Sequence, residues 1–146
     1  ITIKRFSLDF LVQFTKQEGW NFWSSAPIIG GGTNQPDVVL SRWQEPGNVS
    51  PYQRFSSGSD SMANQVFRTF AQSDATITDA SYVRLQNVSM SYRLTDGQRD
   101  GFGCELFLRG QNLWTITDYF GLDPETRNKQ TVPSLRILSL GTRLTF

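Results

Sequence analysis

Apolar and polar residues alternate along four segments of the chain. In the first, every second residue from Phe6 to Phe14 is apolar and the residues between them are mostly polar, with Leu11 as the exception. The same alternation returns near residues 88–94, 102–111 and 138–146. Because side chains of a strand point to alternate faces, this pattern predicts strands at about residues 3–14, 82–94, 102–114 and 135–146.

The connections between the predicted strands alternate in length. A very long connection, about residues 15–80, precedes a short turn at 95–101 and an intermediate connection at 115–134. Within the long connection, Met62, Val66 and Phe70 recur every four residues and predict a short helix. Bacterial outer-membrane barrels combine strands of this length with long extracellular loops and short periplasmic turns. A soluble sheet also alternates, but compact domains rarely contain so long a connection.

Composition excludes several classes of function. The 146 residues include 14 basic and 13 acidic side chains, no histidine and a single cysteine, Cys104. A near-neutral chain lacks the basic footprint of nucleic-acid binding. Without histidine, neither a Ser-His-Asp nor a Cys-His catalytic arrangement can form. We therefore expect no enzyme, no cofactor, no metal site and no nucleic-acid partner.

Aromatic and arginine side chains concentrate in the long connection. Flat aromatic faces beside hydrogen-bond donors suit sugar rings or peptide chains. The candidate contacts are Trp20, Trp23, Arg42, Trp43, Tyr52 and Arg54. The same side chains could instead hold the connection together.

Charged residues also occupy polar positions of the alternating segments. In a closed barrel these side chains would point into the lumen, where they would pair with one another or contact substrate; they are Arg93, Glu105, Arg109 and Arg143. The final segment carries Leu140, Leu144 and Phe146 on its apolar face and resembles the C-terminal assembly signal of bacterial outer-membrane barrels.

Three blocks of the sequence resemble the SusC/RagA-like TonB-dependent transporters of the Bacteroidetes outer membrane. Residues 79–92, DASYVRLQNVSMSY, are similar to that family's SYLRLKNLTLGY segment. Residues 106–125, LFLRGQNLWTITDYFGLDPE, resemble its VSGQNLFTFTKYKGLDPE segment, and residues 138–146, LSLGTRLTF, resemble its closing strand. Asn34, Arg42 and Trp43 fall in a stretch similar to one that precedes the family's last strands.

The resemblance implies an all-β fold. The chain would supply about four antiparallel transmembrane strands, the C-terminal part of a large, roughly 22-stranded outer-membrane β-barrel with long extracellular loops. The rest of the barrel, the plug and the plug's contact with the TonB complex would come from sequence absent from this chain. We expect residues 1–146 to be such a C-terminal segment, in the lipid bilayer of the outer membrane of a Gram-negative, Bacteroidetes-type bacterium.

The same resemblance implies a function in nutrient import. The expected cargo is an oligosaccharide or a peptide, and the expected partner is a SusD-like surface lipoprotein, which the aromatic residues of the long connection would contact. Two other interpretations stay open: a barrel that acts as a scaffold in a larger outer-membrane assembly, and a soluble β-sandwich that binds a ligand.

Overall fold

The computed structural model describes residues 1–96, 101–127 and 131–146. In chain order its elements are β1 (Thr2–Ile3), β2 (Phe6–Thr15), β3 (Glu18–Trp20), α1 (Ser61–Ala71), β4 (Ile77–Asp79), β5 (Tyr82–Asp96), β6 (Gly103–Ile116) and β7 (Ile137–Thr145). Short 3₁₀ helices also span Phe22–Ser25, Asp37–Ser41 and Asp74–Thr76. Within the described part of the chain, no helix is both long and apolar enough to cross a membrane.

Most strands join one antiparallel sheet, in which they lie in the order β1, β2, β5, β6, β7. Strands β3 and β4 form a separate antiparallel pair. This architecture confirms the predicted all-β, antiparallel fold. Of the predicted turn at 95–101, residues 97–100 lie outside the described residues, as do residues 128–130 of the connection at 115–134.

The register of the large sheet brings the alternating patterns of its strands into phase. One row across β2, β5, β6 and β7 consists of Leu8, Met90, Leu108 and Leu140. The next row consists of Asp9, Ser89, Arg109 and Ser139. The sheet therefore has an apolar face and a polar face. Side chains of the apolar face remain exposed, with Leu140 at 81% and Phe14 at 70%.

An extra residue in β5 keeps the apolar side chains of this strand on the apolar face of the sheet. Val83 and Leu85 are at odd positions, whereas Val88 and Met90 are at even positions, so the apolar pattern changes phase between them. The pairing register between β2 and β5 passes over Gln86 there, since Val12 pairs with Leu85 and Leu11 pairs with Asn87. A bulge of this kind places two residues opposite one. It returns the apolar side chains of both halves of β5 to the same face.

The first predicted strand, residues 3–14, differs from the structure at its start. Lys4 has a φ of 53°, in the left-handed region that turns the chain rather than extending it. Thr2 and Ile3 consequently fold back and pair with Ser7 and Phe6. The long strand begins at Phe6.

Helix α1 forms near the predicted position, residues 60–70, but only part of the predicted apolar pattern is buried. Phe67 packs into a core with Trp23, Ile29 and Val39. Met62 and Val66, whose spacing predicted the helix, remain 75% and 55% exposed. Phe70, the third residue of this spacing, packs against the same core, so the four-residue spacing located the helix and one residue of its buried face.

The Asp60 side chain caps α1. Its Oδ1 accepts hydrogen bonds from the backbone amides of Met62 and Ala63, at 3.1 and 3.0 Å. The amide of Ala63 holds the pKa of the Asp60 carboxyl below its usual value, and Arg54 adds to this effect. A lowered folded-state pKa means that the carboxylate stabilises the helix above the ordinary carboxyl pKa. This stabilisation is lost as the pH falls through the lowered value.

We expect Asp60→Ala to weaken the N-terminal turn of α1, because the amides of Met62 and Ala63 lose their acceptor. Hydrogen exchange at these two amides in the full-length protein, corrected for intrinsic rates, measures the effect. Asp60→Asn is the matched control, since asparagine caps as well as aspartate and does not titrate. Protection in Asp60→Asn should persist in acid, where that of the unchanged protein declines; identical acid profiles would contradict the contribution of the carboxylate charge. Unchanged protection in Asp60→Ala would contradict the capping role.

Candidate functional site

Two of the six predicted contact residues pack in the core of the long connection. Trp23 is 4% exposed and packs with Ile29, Val39 and Phe67 in the loop core. The Tyr52 ring lies 5.0 Å from the Trp23 ring, between their centroids. Both rings therefore make their principal contacts within the connection.

The two predicted arginines have partners in the same connection. The guanidinium of Arg42 lies 3.6 Å from the centroid of the Phe55 ring, a cation–π distance. Arg54 donates to a carboxylate oxygen of Asp60 at 3.0 Å. The Arg54 side chain is nevertheless 64% exposed, so water or a ligand can still reach it.

The other two candidates differ in how much of their rings they present to solvent. Trp20, at the end of β3, is 45% exposed. Trp43 is half-buried, and its backbone amide donates to the carbonyl of Tyr52 at 2.9 Å. Of these tryptophans, Trp20 presents the larger surface for an external contact.

The long connection and the segment after β6 are joined into one body, which we call the loop body (residues 16–80 and 117–127). The amide of Phe22 donates to the carbonyl of Phe120 at 2.8 Å, and their rings lie 5.7 Å apart. The Tyr119 hydroxyl donates to the carbonyl of Trp20 at 2.6 Å. Burial raises the pKa of Tyr119 above its usual value.

An ion pair marks the junction of the loop body with the large sheet. Lys16, just after β2, lies 2.7 Å from Asp79, just before β5. The hydrogen bond between them raises the pKa of Lys16 and holds that of Asp79 well below its usual range. Both side chains are exposed, so the pair contributes little to stability.

A buried charge cluster, absent from the predicted site, lies beside this junction. Arg84 of β5 is 3% exposed and donates to Asp123 at 2.8 Å. It also pairs with Glu125 and donates from Nε to Thr115 at 3.0 Å. The guanidinium lies 5.1 Å from the ring centroid of Tyr82. The Arg84 cluster thus joins two strands of the sheet to the segment that follows β6.

The sequence contained one signal for this cluster. Asp123 precedes a proline, a combination typical of an ordered turn, whereas Arg84 occupies an ordinary polar position between Val83 and Leu85. Nothing in the sequence pairs the two, because 39 positions separate them.

The predicted lumen-facing residues share the polar face of the sheet. Glu105 lies opposite Arg93 on one side and Arg143 on the other, and Arg143 donates to it at 3.3 Å. The guanidinium of Arg109 lies 4.8 Å from the ring centroid of Phe107, which covers Gly141. Arg93, Glu105 and Arg143 also line a concavity of about 450 Å³ on this face.

The last predicted residues belong to the apolar face and the chain end. Leu140 lies opposite Leu108, and Leu144 lies opposite Cys104. Phe146 is 92% exposed, and its ring lies 5.8 Å from that of Phe102. Among the described residues, no group of three or more cysteine and acidic side chains could hold a metal ion.

No family model matches the chain. A curated protein, the TonB-dependent receptor P3 of Formosa agariphila, is 34% identical in an alignment of 88 residues; the match covers 48% of this chain and 9% of the receptor. A solved structure of the RagAB peptide importer in its "closed-closed" state matches 98% of this chain and 16% of its own, with a TM-score of 0.72 and 25% identity. The "open-open" state of the same importer matches equal shares, with a TM-score of 0.66 and 25% identity.

The two-faced antiparallel sheet thus matches, over 98% of the chain, a β-barrel segment of a RagA-like transporter. The chain spans 9% and 16% of the lengths of these relatives. More particularly, these matches confirm the resemblance to the SusC/RagA-like TonB-dependent transporters that the three sequence blocks carry.

Proposed function

We propose that this chain forms part of the wall and the extracellular loops of a TonB-dependent importer in the outer membrane of a Gram-negative, Bacteroidetes-type bacterium. The exposed apolar face of the large sheet carries this proposal. Leu138, Leu140 and Phe14 are at least 70% exposed on that face. A contiguous apolar surface of this kind is typical of a face that contacts lipid or protein.

The proposed arrangement assigns each part of the chain to a side of the membrane. Strands β2, β5, β6 and β7 would cross the bilayer with their apolar face outward and their polar face toward the lumen. The connections at 15–80 and 115–134 would be extracellular, and the turn at 95–101 periplasmic. The remaining barrel strands, the plug and the contact with TonB would come from sequence outside this chain.

We assign the polar face and the loop body different roles in import. Glu105 and its neighbours Arg93 and Arg143 would line the lumen. The exposed parts of the loop body, including Trp20 and Arg54, would contact the cargo or a SusD-like lipoprotein at the mouth of the barrel. Trp23 and Tyr52 would support that surface from within.

The proposed cargo is an oligosaccharide, supported by the exposed Trp20 ring and its suitability for a sugar face. Peptides are the second candidate, and a specific observation favours them. The solved structures that match 98% of this chain are of a complex described as a peptide importer. Both candidates require the same wall and differ in what the loop surface binds.

Deletion of the full-length gene in its native host tests this function. We expect the deletion strain to lose uptake of labelled oligosaccharides above the size that porins admit, while uptake of a porin-sized sugar is unchanged. A protonophore should abolish the same uptake in the undeleted strain, because TonB-dependent import needs an energised membrane.

A matched set of labelled peptides distinguishes the two cargo classes. Loss of peptide uptake alone would assign the importer to peptides. Unchanged uptake of both classes, or uptake that persists after the protonophore, would contradict the proposed function.

A further inference from the structure

The buried positive charge of Arg84 is paired with carboxylates of one segment outside the sheet. The Arg84 side chain is 3% exposed, so its guanidinium is almost fully removed from water. A buried guanidinium needs paired carboxylates to offset its lost hydration. Its two carboxylate partners, Asp123 and Glu125, both lie in the segment that follows β6.

The two carboxylates differ in their environment. The Asp123 side chain is 5% exposed, whereas that of Glu125 is 42% exposed. The same oxygen of Asp123 also accepts the backbone amide of Glu125 at 2.8 Å, which closes a turn. Water can replace Arg84 at Glu125, but it cannot easily do so at Asp123. The structural effect of the cluster therefore depends chiefly on the Arg84–Asp123 pair.

The segment held by Arg84, residues 119–127, is bonded in turn to the long connection. Gln17 donates to the carbonyl of Pro124 at 2.7 Å, and Arg127 donates to the carbonyl of Glu18 at 3.0 Å. Two further hydrogen bonds join Tyr119 to Trp20 and Phe22 to Phe120. If segment 119–127 moved away from the sheet, these hydrogen bonds would therefore pull the long connection with it.

We propose that Arg84 is a positioning residue that holds segment 119–127, and with it the loop body, in a fixed orientation against the end of strands β5 and β6. Its loss releases the loop body as one unit, because the bonds within that body remain. This inference rests on the proposed function, in which the loop body lies at the extracellular mouth. The Arg84–Asp123 pair then sets how far that mouth is open.

Spin labels on the full-length protein test the orientation directly. One label is placed at Leu122, which is exposed in segment 119–127, and the other at Gln111, which is exposed on β6, in a Cys104→Ser background. Electron–electron distance measurements in detergent should show one narrow distribution for the unchanged protein. Arg84→Gln and Asp123→Asn should lose that narrow distribution, because each removes the buried ion pair.

Glu125→Gln is the matched control, because it removes the exposed carboxylate of the same guanidinium and should leave the distribution narrow. Arg84→Lys restores the charge and should recover a narrow component, which a merely steric role for Arg84 would not produce. Heat-modifiable migration of the barrel in a gel shows that each variant is folded. A narrow distribution in folded Arg84→Gln and Asp123→Asn would overturn the proposal.

Channel conductance in planar bilayers gives the functional readout. With the loop body released, Asp123→Asn should open more often than Glu125→Gln, and equal opening would contradict control of the mouth. The distance measurement does not depend on transport. The distance distribution could broaden in Arg84→Gln and Asp123→Asn although the unchanged protein imports no cargo. That result would overturn the proposed function and leave the positioning role of Arg84 standing.

Discussion

Trp23→Ala is expected to destabilise the loop body by about 3–5 kcal/mol, the range for removing a buried aromatic side chain from a packed core. Trp23 contacts Ile29, Val39 and Phe67, and its ring also lies 5.0 Å from that of Tyr52. The large sheet should be unaffected, because its strands are held by their own hydrogen-bonded register.

Hydrogen exchange on the full-length protein in detergent separates the loop body from the sheet. Amides of α1 should lose protection in Trp23→Ala, while amides of β5 and β6 keep theirs. Trp20→Ala is the matched control, since it makes the same change at a ring that is 45% exposed. It should cost about 1 kcal/mol or less, as substitutions away from a packed core usually do. Equal losses at the two positions would show that the loop core is not organised around Trp23.

The sheet could be predicted from the sequence because its signal is local. Every second residue of β2 from Phe6 to Phe14 is apolar, and such a pattern needs no knowledge of the partner strand. The bulge at Gln86 was not predicted, although it corresponds to a phase change of the apolar pattern between Leu85 and Val88. The turn at Lys4 was not predicted either, since a left-handed conformation at a lysine has no marker comparable to a glycine.

The loop body could not be predicted in the same way. Trp20 and Trp23 are close neighbours of the same residue type, yet one is exposed and the other buried. Their difference depends on α1, whose Phe67 reaches Trp23 from more than forty positions away. Arg84 and Asp123 pose the same problem, because only the folded chain brings the charges together. Residue types therefore indicated which segments make side-chain contacts, but they did not indicate which residues contact each other.

Close packing of the loop body also predicts a large effect at Gly30. Gly30 has a φ of 87°, and an added Cβ would lie 2.6 Å from the amide nitrogen of Ser56 and 2.8 Å from the Cα of Phe55. That amide donates to the carbonyl of Ile29 at 3.0 Å, so the two backbone segments cannot separate without breaking the bond. Gly30→Ala should cost about 1–2 kcal/mol for the left-handed conformation. The overpacking adds about 1–3 kcal/mol.

Comparison of Gly30→Ala with Gly58→Ala isolates the second of these two terms, the overpacking. Gly58 has a nearly identical φ of 86°, but an added Cβ there would meet no atom within 4 Å. Gly58→Ala should carry the conformational cost alone, so the difference between the two variants measures the backbone contact at Ser56. Hydrogen exchange at the Ser56 amide in the full-length protein reports that contact, and its protection should fall in Gly30→Ala but not in Gly58→Ala. If both variants lose equal stability, the positive φ accounts for the whole effect. The segments around Ile29 and Ser56 would then have room to move apart.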